Sequence, residues 1–233
     1  MGSRCLRNYP ANPSNMSAIF SILAGRKLGR KPFVHAFIAA IFAWSVTPNA
    51  RAADALKPDA DGYIRDWVML APISLPAGRQ AGDLIVEEQV SNEAALQPKA
   101  GDTVKVNGKE LTWQNITASA KYFDFNAILK TITDHAAGYM VTYIECDREM
   151  RDVTMALGSN DQGRLYLNGK DIYAVQDART LELDIDKGKV RLNQGVNVVV
   201  FKVINEQNSW QGSMRFLDKS GAPVTDLKIK RSP

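Results

Sequence analysis

Ala156 to Tyr173 reads A-L-G-S-N-D-Q-G-R-L-Y-L-N-G-K-D-I-Y. Alternating residues from Val153 to Leu157 lead into a polar turn at Gly158 to Gly163, an apolar run at Leu165 to Leu167, and then Asn168-Gly169. Both central positions of a type I′ turn need φ > 0, which Asn and Gly tolerate best. Asn-Gly between strand-like runs therefore predicts a β-hairpin.

The same chemistry repeats outward from this stretch. Val104 to Val106, then Asn107-Gly108, then Leu111 and Trp113 predict a smaller hairpin. Tyr63 to Leu75 gives a first strand around Trp67 to Leu70, closed by Pro72 and Pro76. Gly138 to Cys146 is aromatic and β-branched, as strands are. Strands are also expected at Lys170 to Tyr173, Thr180 to Ile185 and Met214 to Leu217. In Val196 to Ile204 (V-N-V-V-V-F-K-V-I) both faces are apolar, as in a strand buried mid-sheet. It should sit opposite the sheet that carries Val153, Met155 and Leu157. Residues 77–103, with Gly78, Gly82, Pro98 and Gly101, read as a long, partly ordered excursion. Phe123 to Thr133 fits a helical turn or a strand, since periodicity does not separate them. Many short strands with turn signals between them predict an all-β protein, an antiparallel β-sandwich, over residues 63–220. Residues 221–233 form a tail or a last strand.

The chain has 233 residues, enough for a substantial core. Arg26, Lys27, Arg30 and Lys31 precede an apolar run from Phe33 to Val46, then Thr47-Pro48 and Ala50-Arg51-Ala52. Basic, apolar and small-x-small segments in that order predict an export signal over residues 1–52, cut after Ala52. The run is shorter than the roughly 20 residues that span a bilayer and contains His35, so no stable membrane span is expected after cleavage. A polar linker, residues 53–62, follows. The exported part would be periplasmic or extracellular. Of the 29 Lys and Arg, seven lie before Asp54, leaving 22 against 25 acidic residues. The basic balance thus belongs to the leader, and a nucleic-acid partner is not expected. Cys5 falls in the leader and Cys146 is alone beyond it, so no intrachain disulfide is expected there.

G-S-N-D-Q-G-R-L-Y-L-N-G-K, L-E-L-D-I-D-K-G-K-V-R-L-N-Q-G-V-N-V-V-V-F-K-V-I-N and S-W-Q-G-S-M-R-F together resemble the second half of a galactose-binding-like jelly roll. The opening Y-I-R-D-W-V-M-L-A-P is similar to the start of such modules in exported bacterial proteins, and the hairpin is also similar to PA14-type domains. The resemblance spans residues 62–220. It implies a carbohydrate-binding type of module that occurs beside or within secreted glycosidases, with a glycan or a cell-surface protein as partner. Sugar-binding PA14 modules hold calcium with two adjacent aspartates. Asn160-Asp161 stands here instead, without the second strong ligand.

Asn160, Asp161 and Arg164 could hydrogen-bond hydroxyls from a loop tip that the sheet positions. The same residues equally suit a turn held by Asx side-chain bonds. Trp210 would offer an indole face to a sugar ring if it lies on a loop, or would close the end of the sandwich if it is core. Trp67 and Trp113 lie in strand-like runs and are expected in the core.

Groups suited to catalysis are few. His135, beside Asp134, is the one histidine after the leader, so a zinc site of two or three histidines is excluded. No serine stands in Gly-x-Ser-x-Gly. Cys146 with His135 is conceivable as a nucleophile pair, but Cys146 ends an apolar strand and reads as a small hydrophobe. Gly158 to Arg164 has phosphate-loop spacing but ends Gly-Arg, with a strand after it. Glu87-Glu88 point to opposite faces if extended, and Asp184 and Asp186 read as a solvated strand edge. Asp59-x-Asp61-Gly62 is a fragment of a calcium loop without a full ligand set, so no cofactor is expected. The expected function is that of an exported, non-catalytic module binding glycan or another surface ligand. A structural protein of the cell envelope with no small-ligand site is the alternative, and a glycan-active hydrolase is more remote.

Overall fold

The computed structural model describes residues 56–233. The expected leader, the cleavage expected after Ala52, Cys5 and the first residues of the expected linker lie outside the described residues.

In chain order the strands begin with β1 (Asp66–Ser74), β2 (Thr103–Val106), β3 (Lys109–Thr112), β4 (Gln114–Thr117) and β5 (Phe123–Asp124). They continue with β6 (Ala136–Cys146), β7 (Met150–Asn160), β8 (Gln162–Leu167) and β9 (Lys170–Val175). The last are β10 (Asp186–Leu192), β11 (Gly195–Asn205), β12 (Gln211–Leu217) and β13 (Lys228–Lys230). Two short helices, α1 (Ala81–Leu84) and α2 (Phe125–Leu129), interrupt the series. No helix among the described residues is long and apolar enough to cross a membrane.

The protein is an all-β antiparallel sandwich. A seven-stranded sheet runs β4-β1-β6-β11-β8-β9, with β13 also pairing β6, and it faces a four-stranded sheet of order β10-β7-β12-β5. Between them lie Trp67, Met140, Leu165, Phe201 and Val203 from the large sheet and Val153, Met155, Leu157, Met214 and Phe216 from the small one. As the sequence pattern predicts, β11 is central, flanked by β6 along its length and by β8 from Val199 to Ile204.

Both Asn-Gly turns form. Leu167 pairs with Lys170 around Asn168 (φ 52) and Gly169 (φ 77), and Val106 pairs with Lys109 around Asn107 (φ 50) and Gly108 (φ 78). The first turn is also tied to β11, because Asn168 Oδ1 accepts from Val198 N at 2.9 Å and Asn168 Nδ2 donates to Asn197 Oδ1 at 2.9 Å.

Four expectations are corrected. The polar stretch at Gly158 to Gly163 is no hairpin turn: β7 ends in the small sheet at Asn160 and β8 begins in the large sheet at Gln162, so Asp161 marks a crossing between layers. β1 does not stop at Pro72. A register shift between Leu70 and Ile73 carries the strand past it, at an irregularity where a missing N–H donor is tolerated. Thr180 to Ile185 is not a strand, and β10 starts at Asp186. The preceding loop lies on the outer face of the small sheet, where Gly158 leaves room for it: a Cβ there would meet Glu182 O at 2.2 Å. Finally, residues 77–103 are an ordered cover. Leu84, Ile85 and Val90 pack with Val106 and Trp113 on the outer face of the large sheet, over Leu70, Tyr139, Val141 and Val200. A sheet apolar on both faces needs that third layer.

Phe123 to Thr133 combines the two shapes the pattern allowed. Two residues pair as β5, then one helical turn follows, with Asp124 Oδ1 accepting from Ala127 N at 3.0 Å. At the C-terminal end, β13 pairs Ile229 with Ile144, while Leu56 bridges Ile229 from the other side.

Candidate functional site

Where β7 crosses to β8, strand ends from both sheets meet in a polar rim. Gln211 pairs with Asn160 and Ile204 with Gln162, and Asp161 N donates to Ile204 O at 3.0 Å. Asp161 Oδ2 accepts from Glu206 N at 2.8 Å, and Gln162 Nε2 donates to Glu206 Oε1 at 2.6 Å. Burial pushes the Asp161 carboxyl up, and the Glu206 carboxylate adds to the push. Asn160 Oδ1, Gln162 Oε1 and Asn205 Oδ1 are buried and receive no hydrogen bond from the protein. Such acceptors are uncommon in native proteins, and here three belong to one end of the sandwich.

Of the residues singled out in sequence, Asn160 and Asp161 lie in this rim. Arg164 is carried away from it along the outer face of β8. There its Nε and Nη2 donate to Asp171 Oδ2 at 2.9 and 2.6 Å, and Nη1 donates to Val86 O at 2.6 Å. The Asp161 bond to Glu206 N spans 45 residues and ties two strand ends together, so it is not the local Asx turn expected from the sequence.

Trp210 neighbours the rim but is no platform: its indole is 0% exposed. It stacks on Phe125 with centroids 4.2 Å apart, and Nε1 donates to Val203 O at 3.1 Å. Gly138 makes that stack fit, since a Cβ there would meet Phe125 at 2.5 Å and Trp210 at 2.7 Å. Trp67 and Trp113 are buried, as expected. Among the described residues no aromatic side chain is fully exposed; Tyr122 and Tyr173 are half-buried.

One cluster has no forerunner in the sequence reading. Tyr139, Lys202 and Arg164 stand in register across β6, β11 and β8, and Glu93 comes down on them from the cover. Lys202 Nζ lies 2.8 and 2.9 Å from the two Glu93 oxygens, both side chains being wholly buried. Tyr166 Oη donates to Glu93 Oε1 at 2.5 Å and Tyr139 Oη to Glu93 Oε2, while Arg164 Nη1 lies 3.5 Å from Oε1. Burial lowers the Lys202 ammonium below its ordinary value against the pull of Glu93. Burial, and then the Glu93 charge, raises Tyr139 well above its own. Every strong acceptor site on Glu93 is filled, so the cluster ties cover to sheet. Its sequence signal is Lys202 itself, one cation inside V-N-V-V-V-F-K-V-I, because a buried charge requires a partner.

The remaining acids and thiol are likewise held. Asp184 binds Arg215, with Nε at 2.9 and 3.1 Å, rather than standing at a solvated strand edge. Asp186 Oδ2 accepts from Arg179 at 2.5 Å and Tyr173 at 2.6 Å. Glu87 pairs with Arg79 at 2.6 Å. Asp59 Oδ1 accepts from Asp61 N at 3.0 Å and Tyr63 N at 2.9 Å, an Asx turn in place of a calcium loop. His135 ring Nε2 is 2.9 Å from Pro76 O. Cys146, buried and with its thiol pushed up by burial, sits at the far end of β6, about 33 Å of extended chain from Ala136, the residue after His135. The two do not form a nucleophile pair.

No family model and no curated protein matches the chain. Among solved structures, a GH31 alpha-xylosidase from Xanthomonas citri is similar over 55% of this chain and 16% of that chain, with 12% identity and a TM-score of 0.32. The fold assignment rests on the strand pairing itself.

Proposed function

We propose that the chain is an exported, non-catalytic β-sandwich module that recognises a glycan or another cell-surface ligand at the crossing end of its two sheets. The observation that carries this reading is the polar rim. Half-buried Asp161 and exposed Glu206 stand at its lip beside the small exposed part of Asn160, and carboxylate and amide groups so placed suit the hydroxyls of a sugar, while Gln162 and Asn205 lie buried beneath them. A rigid pair of sheets holds them, which lowers the ordering cost of binding. The non-catalytic part is supported by the acids being held in ion pairs and turns. Recognition here would rest on hydrogen bonding, since the indole of Trp210 lies in the core. The test is a panel of soluble glycans against the purified protein, with Asn160→Ala and Asp161→Ala variants. At least one glycan should bind, and each variant should weaken it roughly tenfold, about 1.4 kcal/mol, with thermal stability little changed. Silence across the panel, together with cross-linking on intact cells that recovers one stoichiometric protein, would replace this reading with that of an envelope assembly protein.

A further inference from the structure

A second surface lies on the open side of the sandwich, between β9 at the edge of the large sheet and β10 at the edge of the small one. A hollow of about 430 Å³ runs there, lined by Lys170 and Ile172 from one sheet and Lys189, Val190, Arg191 and Asn193 from the other end of the gap. Its volume is in the range of small-ligand clefts. None of the described residues lining it is acidic. Of its cations, Arg191 is ion-paired with Glu149 at 3.0 Å, a carboxylate that also holds Arg151 at 2.7 Å, and Asp171, between Lys170 and Ile172 in the chain, is held by Arg164 at 2.6 Å. Lys189 Nζ donates to Thr154 Oγ1 at 2.9 Å, which leaves further N–H donors on the ammonium. Lys170 makes no ion pair among the described residues.

Lysine on an edge strand has a common structural use, which is to keep sheet edges from pairing with other chains. That use requires charge on each edge separately. It does not require that cations from two sheets share one hollow free of acids, on a body whose part after the leader carries more acidic than basic residues. Both edges also present backbone groups unpaired on their outer side, and Ile172 adds an exposed apolar side chain that suits the C–H face of a sugar ring.

We propose that this hollow is a binding groove for acidic polysaccharide, whose carboxylate or sulfate groups meet Lys170, Lys189 and Arg191. It rests on the recognition reading above but uses a different face. The ligand is a polyanionic glycan rather than an acidic protein because the groove joins cations to an apolar strip and the free amide of Asn193, a mixture that serves charge, ring and hydroxyl together.

The test titrates the purified protein with polygalacturonate, dextran sulfate, neutral dextran and poly-L-glutamate at low and moderate salt. Binding of polygalacturonate or dextran sulfate is expected, weakening as salt rises because exposed charges are screened beyond roughly 10 Å at 0.1 M; whichever of the two binds tighter identifies the anionic group. Lys170→Glu with Lys189→Glu should weaken it at least tenfold, the Gln pair less, with melting temperature unchanged. Asn160→Ala should leave it intact. Equal binding of neutral dextran or poly-L-glutamate, failure of both polyanionic glycans, or charge reversal without effect would overturn the groove. Loss in Asn160→Ala with no effect of the Lys variants would instead assign the binding to the crossing end.

Discussion

Glu93 and Lys202 show how much one pair of residues decides. Each is fully buried, and removing one partner leaves the other as an uncompensated charge, which costs about 3–5 kcal/mol. Glu93→Ala is expected to lose that much in urea unfolding, since Lys202, Tyr139 and Tyr166 all lose their acceptor. Glu93→Ala combined with Lys202→Met should recover a large part of it, because the lone ammonium is gone. A single variant within about 1 kcal/mol of the parent would mean the pair behaves like a surface bridge. Half of this is legible in the sequence, although neither residue was singled out there. Lys202 interrupts an apolar run, which signals a buried partner, but Glu93 sits in a polar stretch with Glu87 and Glu88 and nothing local singles it out. Its role comes from a contact across 109 residues. Trp210 was open between two roles for a related reason: a tryptophan beside a turn has the same local sequence whether it faces water or packs on a helix 85 residues earlier.

At the scale of elements, the signals that read correctly were backbone-local. Asn168-Gly169 and Asn107-Gly108 need φ > 0 whatever surrounds them, and the two-sided apolar run of β11 demands the middle of a sheet. The signals that misled were alternations without a partner. Thr180 to Ile185 alternates like a strand, yet Gly158 beneath it has no side chain and lets a loop lie against the sheet, and Asp184 is drawn to Arg215. The cover failed to register because Leu84, Ile85 and Val90 follow neither helical nor strand spacing; the outer face of the large sheet orders them. The α2 turn depends on the same kind of packing, with Phe125 held between Gly138 and Trp210. Trp210→Ala should cost about 3–5 kcal/mol and Gly138→Ala about 1–3 kcal/mol, both seen as lower melting temperatures. A Trp210→Ala protein with unaltered melting would contradict the packing described.

Taken whole, the molecule buries its tyrosines in acceptor-rich places, and this sets its response to alkali. Burial raises Tyr139, Tyr143, Tyr166 and Tyr173, with Glu93 adding to the first and third and Asp186 to the last. A group whose folded value exceeds its unfolded one, about 10 for tyrosine, gives stability that is whole below that pH and is lost as pH rises past it. Lys202 acts oppositely. Its folded value lies below the unfolded one, so stability grows as pH climbs between the two. Four tyrosines outweigh one lysine, and melting temperature should hold or rise slightly toward pH 10 and then drop steeply. Tyrosinate absorbance equivalent to these four should appear together with loss of structure; that full amount forming in a still-folded protein would show these hydroxyls to be open to solvent.

The Leu56 bridge to Ile229 brings the two limits of the described chain side by side at one seam, against the part of β6 around Ile144. The polar rim is at the opposite end of β6, where Ala136 pairs with Asn205, roughly 25 Å away along the strand. A circularly permuted protein, joined across the seam and reopened at exposed Asp147-Arg148 between β6 and β7, should therefore keep its rim. A carrier attached at either limit would hang from the far side of the molecule and leave that rim pointing outward.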